Sequence, residues 1–130
     1  MKITVTEISA KKMPYPTWDN WYWDKKGDLY IEILKGLSPE EFQLMAIHAQ
    51  VEAILCRNHG VTDKAVTNFD VAFEKLKKQG EPGDSLLSPY HREHGIATAV
   101  ERMMVVEMDM VWGKYDLGLD EAFDNAFKGK

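Results

Sequence analysis

Four residues in this sequence have the types and spacing that chemistry at a metal ion needs: His48 and Glu52, then His91 and His94. A helix brings residues four apart to the same side, so His48 and Glu52 would present an imidazole and a carboxylate together. Completed by a histidine from another helix, His94 or His91, they make the three-donor set that leaves a fourth position on a zinc ion open to water or substrate. The same donors suit Fe²⁺, Mn²⁺ or Ni²⁺ in other geometries. Glu93 and Glu101 are the acids placed to orient a bound water or a ligand histidine, a support that metal ligands usually require. The best known signature of this kind puts a glutamate directly after the first histidine as general base, and here that residue is Ala49. A hydrolytic base would have to come from Glu93, Glu101 or Asp70.

Helices must position these groups, and the sequence marks where they begin. Ser38, Pro39 and Glu41 are a cap, a first-turn proline and the acid of a capping box, so a helix is expected from about Pro39 to His59, stopped by Gly60. On its wheel Gln43, Ala46, Gln50 and Arg57 form the one wet face, and His48 and Glu52 fall almost opposite it. Burying ionisable groups without partners costs several kcal/mol, so partners must come from elsewhere. Thr62-Asp63 opens a second helix through about Lys78, whose basic end (Lys75, Lys77, Lys78) complements the helix dipole. Ser88-Pro89 opens a third, expected to run to about Trp112. Its apolar arc would hold Ile96, Val100, Met103, Met104, Met108 and Val111, with His94 and Glu101 on the border and His91 on the wetter side. A short amphipathic piece from Leu119 to Phe127 closes the chain, and residues 128–130 are expected to fray.

Before the helices, residues 2–9 alternate as a strand. Trp21-Tyr22-Trp23 and Leu29 to Leu34 flank a glycine-containing turn and read as a hairpin. The order β-β-β-α-α-α predicts one α+β domain over residues 1–130, with a three-stranded antiparallel sheet followed by its helices.

Composition narrows the function. A net charge of −5, with no extended basic cluster, argues against nucleic acid as a partner. One cysteine, Cys56 in an apolar run, gives neither a disulfide nor a thiolate zinc site and suits a reducing compartment. No leader or membrane-spanning stretch is visible, so a cytoplasmic protein is expected. The aromatic density from Trp18 to Trp23 exceeds what a hairpin core needs and marks a surface for a protein partner or a homo-oligomer. Asp70 and Glu74 read as solvated or lysine-paired charges, and His59 as a residue tending the first helix's C-terminus.

The run His48-Ala49-Gln50-Val51-Glu52, with Asn68-Phe69-Asp70, Glu81-Pro82-Gly83-Asp84 and Pro89-Tyr90-His91-Arg92-Glu93-His94, resembles a group of small uncharacterised proteins of bacteriophages and prophages. In that group the first motif usually reads His-Glu-Leu-Val-Glu, similar to a minimal zincin-type metallopeptidase helix. The resemblance spans roughly residues 43–112 and implies a metal site, while Ala49 removes the acid a peptidase would most need. Two readings stand at this level. One is a phage-type metal-binding protein holding Zn²⁺ or another divalent ion, as an unconventional metallohydrolase. The other is a non-enzymatic interaction protein, acting on a host protein or on itself, whose His/Glu cluster is an internal polar network.

Overall fold

The computed structural model describes residues 1–76 and 80–128. The basic run at 77–78 and the tail at 129–130, read above as a helix end and a frayed terminus, lie outside the described residues. Three strands, β1 (Ile3–Ile8), β2 (Asp19–Trp23) and β3 (Leu29–Leu34), precede four helices: α1 (Pro39–Asn58), α2 (Asp63–Lys75), α3 (His91–Glu107) and α4 (Trp112–Phe127). The class is α+β.

The sheet is mixed, not purely antiparallel. Its order is β1-β3-β2, with β1 parallel to β3 and β2 antiparallel to it. The hairpin forms as the sequence indicates: Asp24 Oδ1 accepts from the amides of Lys26 at 2.8 Å and Asp28 at 2.9 Å, and Gly27 takes the left-handed φ of 83°. What breaks the expected meander is the choice of central strand. β3 carries Leu29, Ile31 and Ile33, all fully buried, so burial is greatest when it lies between the other two. β1, whose Ile3 and Val5 stay 39% exposed, takes the far edge of β3 and runs parallel to it.

The pleat then assigns faces. Asp19, Trp21 and Trp23 share a side with Leu29, Ile31 and Ile33, because their cross-strand partners are Ile33, Ile31 and Leu29. That side packs on α1, whose Leu44, Met45, Ala49, Ala53 and Cys56 join the same core. The opposite side carries the Tyr22–Tyr30 ring stack and the Asn20–Glu32 hydrogen bond.

α1 begins with the complete capping box of Ser38 and Glu41 and ends at His59, with Gly60 at φ 74°. α2 is capped by Thr62, whose hydroxyl accepts from Ala65 N at 3.1 Å. The expected third helix ends early, and the closing piece expected over Leu119–Phe127 is a full helix that already begins at Trp112. α3 stops at Glu107, Asp109 adopts φ 57°, and the Met110 amide reaches back to Val105 O at 3.0 Å, a helix-ending loop usually built on glycine. Gly113, expected as the stop, lies instead in the first turn of α4. Asp109→Gly removes the side-chain penalty of the left-handed conformation, and denaturant unfolding should show a gain of about 1 kcal/mol. A loss would mean that the aspartate side chain holds the α3–α4 joint.

α3 is rotated relative to its expected apolar arc, so that Met104 and Met108 pack on the core while the rest of the arc turns away from it. Its buried positions are Glu93, His94, Ala97, Glu101 and Val105, while Ile96 and Met103 point to solvent. A polar face turned inward needs partners there.

Candidate metal centre

Those partners are on α1. His48 and Glu52, one turn apart, and His94 and Glu101, two turns apart on α3, meet between the two helices, all of them buried. His48 Nε2 lies 3.2 Å from Glu52 Oε2 and His94 Nδ1 lies 2.9 Å from the same oxygen. The other nitrogen of His48, Nδ1, is 2.8 Å from Glu101 Oε1. Further elements fix the two carboxylates. Trp21 Nε1 on β2 donates to Glu52 Oε1 at 3.0 Å, and the Tyr115 hydroxyl on α4 donates to Glu101 Oε2.

Donor atoms of His48, Glu52 and His94 lie within 4.8 Å of one another, close enough to share an ion. Each group keeps its remaining polar atom turned outward, to Glu101 for His48 and to Trp21 for Glu52. Such outer hydrogen bonds set which nitrogen or oxygen faces the centre.

The other residues singled out by sequence fall elsewhere. His91 Nδ1 bonds the Gly83 carbonyl at 3.1 Å and takes no part in this group. Glu93 is buried against His59 at the C-terminal end of α1, so that pair forms a contact separate from this group. Glu101 reaches His48 and is the orienting acid of the cluster. Asp70, expected to be solvated, is 5% exposed and accepts from Tyr90 at 2.6 Å and Tyr15 at 2.5 Å. The tyrosines hold it inside because α2 presents it to the cleft and not to water.

A cleft of about 1170 Å³ opens onto the cluster, bounded by Tyr15, Asp19, Trp21, Asp70, Tyr90 and Glu81 among others. Asp19 was not legible from sequence, because a strand taken to begin at Trp21 leaves it in a loop. The alternation Asp19, Trp21, Trp23 was the available signal. Burial, reinforced by the neighbouring charge of Glu52 and opposed by His48, raises its carboxyl well above the usual range. A carboxyl so held keeps its proton to higher pH, as a general acid must. Glu81 and Asp84 were likewise missed as donors. They come within 3.8 Å and 3.3 Å of His94 Nε2 and form a second donor group with it.

In this arrangement burial works against a charged His48, yet its bonds to Glu101 and Glu52 outweigh that and hold it well above the ordinary 6.5. His94 is raised on balance, burial opposing and Glu52 prevailing. Burial would raise Glu52, but the hydrogen bonds of His48 and His94 pull it below its ordinary value. Burial raises Asp70 to about 6 despite its two tyrosines. The Cys56 thiol is pushed up by burial and stays protonated.

Compared with known proteins, the chain matches no family model, no curated protein and no solved structure at a significant level. None of the helices among the described residues is long and apolar enough to cross a membrane.

The shifts fix a pH dependence for the metal-free protein. The histidines, raised on folding, contribute fully below 6.5, and that contribution goes as pH rises through their folded values. Glu52, lowered on folding, contributes above 4.5 and loses its share as pH falls through its folded value. Asp70, raised from 3.8, adds to the decline as pH rises to about 6. Asp19, raised from 3.8 to about 7, adds to the same decline, so melting of metal-free protein should peak at about pH 4 and fall towards pH 9. A Tm that climbs steadily to pH 8 would contradict the protonated cluster.

Proposed function

We propose that this chain is a small phage-type metal-binding protein that holds one divalent ion, zinc by donor chemistry, on His48 Nε2, Glu52 and His94. The observation that carries the reading is the convergence of two imidazole nitrogens on Glu52 Oε2, at 3.2 Å and 2.9 Å, with the other nitrogen of His48 against Glu101. This pairing of donor and orienting carboxylate is the usual surround of a ligand histidine.

Metal-assisted hydrolysis is the reaction class the surroundings suit. A bound ion would supply Lewis-acid polarisation and a water of lowered pKa. The chain supplies the rest. Glu101, steadied by Tyr115, fixes the His48 ring; Trp21 fixes Glu52; the cleft admits a substrate past Tyr15 and Tyr90. Ala49 is fully buried in the apolar core, so a proton carrier would have to come from another element, and the cleft wall offers three acids whose carboxyls burial raises, Asp19, Asp70 and Glu81. Because both histidines bind protons tightly, metal and protons compete, and affinity should rise with pH.

Elemental analysis of untagged protein purified without chelator tests the reading. About one metal per chain is expected in the wild type and none in His48→Ala, whose metal-free form should also melt lower because Glu101 and Glu52 lose a buried partner. A wild type that takes up no ion after incubation with Zn²⁺ or Mn²⁺ would sink it.

A second reading, self-association or docking on a host protein, has one observation in its favour: α3 turns Ile96, Met103 and Val106 to solvent, at 53%, 63% and 68% exposure. Within the Trp18–Trp23 segment, Trp18 and Trp21 spend their indole N–H groups on Leu119 O and Glu52, which leaves Tyr22 as the exposed ring. Light scattering on wild type and Met103→Glu should show an oligomer that the substitution disperses. A monomer at every concentration would set self-association aside.

A further inference from the structure

One side chain belongs both to the buried cluster and to the mouth of the cleft. His94 is 5% exposed, and its Nδ1 faces Glu52. Its other nitrogen, Nε2, is buried and has no hydrogen-bond partner among the described residues. It is aimed outward at Asp84 Oδ1, 3.3 Å away, and Glu81 Oε2, 3.8 Å away. A buried ring nitrogen left without a hydrogen bond is costly, and a nitrogen facing two carboxylates is placed for a cation.

The loop that brings those carboxylates is fixed on the ring. Pro82–Asp84 form a single 3₁₀ turn. Gly83 lies so close to the imidazole that a Cβ there would stand 2.4 Å from His94 Cγ, so only glycine lets the loop pass. His91 holds the same glycine by its carbonyl at 3.1 Å. The Glu81 and Asp84 side chains remain 46% and 63% exposed, within reach of a hydrated ion, whereas the donors of His48 and Glu52 are at most 7% exposed.

A neutral imidazole offers one lone pair, so His94 can serve the outer group or the inner group but not both at once. Resting on the metal-binding reading above, we propose that Glu81, Asp84 and His94 Nε2 form an outer site that captures a divalent cation and passes it inward to His48, Glu52 and His94 Nδ1. With the ion outside, Nδ1 carries the ring proton and donates it to Glu52. As the ion moves in, that proton leaves to solvent and Nε2 takes one up, facing Asp84. The ion sheds its water in two stages, first against exposed carboxylates, which spares it a direct step from bulk water into a buried site.

Stopped-flow mixing of Zn²⁺ with metal-free full-length protein tests this, comparing wild type with Glu81→Gln/Asp84→Asn. Loss of an outer capture step should slow loading about tenfold or more. Release should slow with it, leaving Kd within about twofold, since the inner site is untouched. In a second arm, Glu52→Gln disables the inner site, and Mn²⁺ followed by electron paramagnetic resonance should still bind weakly and vanish when Asp84→Asn is added. An unchanged loading rate overturns the proposal. So does a weakened Kd with normal loading, which would make Asp84 a positioning residue for the ring. No Mn²⁺ capture by Glu52→Gln overturns it as well. A wild type that takes up no zinc at all overturns both this and the reading it rests on, whereas normal zinc uptake with any of the other failures overturns the outer site alone.

Discussion

One carboxylate oxygen, Glu52 Oε2, organises the centre of this protein. Two imidazoles converge on it from different helices while the other oxygen of the same group is held by an indole from the sheet. A buried carboxylate is tolerable only when its lone pairs are answered, and here three elements answer them. The way α1 and α3 face each other follows from that requirement. α3 turns His94 and Glu101 inward and leaves Ile96 and Met103 outside, a rotation away from what apolar periodicity alone dictates. Polar pairing outweighed the burial of a few aliphatic side chains, because an unpaired buried charge costs more than an exposed methionine.

The same trade explains which parts of the fold were legible. Signals confined to one segment mostly came through; the exception is Ser88-Pro89, which forms a turn before α3, so that the helix begins at His91 with Tyr90 at its cap position and no side-chain cap. The Ser38–Glu41 capping box, the Thr62 cap, the Gly60 stop and the Asp24–Asp28 turn are local chemistry, readable without knowing what lies across the molecule. The grouping of His48, Glu52, His94 and Glu101 was readable for a related reason, since helical spacing fixes neighbours four and seven apart.

Features that depend on tertiary choices were not legible. The parallel pairing of β1 depends on β3 being the most deeply buried strand, which only the assembled layers decide. The break between α3 and α4 rests on an aspartate adopting a backbone shape that the sequence would assign to Gly113. Asp19, Asp70, Glu81 and Asp84 read as ordinary surface acids because one sequence does not say which acids a cleft will enclose. Asp70 is instructive: the two tyrosines that hold it come from positions 15 and 90, far from it on either side.

Closure of the cluster has an order in time. Glu101 is held by Tyr115, and Trp18, in the loop that leads into β2, donates to Leu119 O at 2.7 Å, so α4 clamps both the orienting acid and the approach to the strand bearing Trp21. A nascent chain emerges from its N-terminal end and folds as it does so. β2, α1 and α3 can therefore assemble while the outer oxygen of Glu101 still faces water, and the histidine pair is locked only when the α4 segment has been made. The centre is completed by a helix that contributes no donor to it.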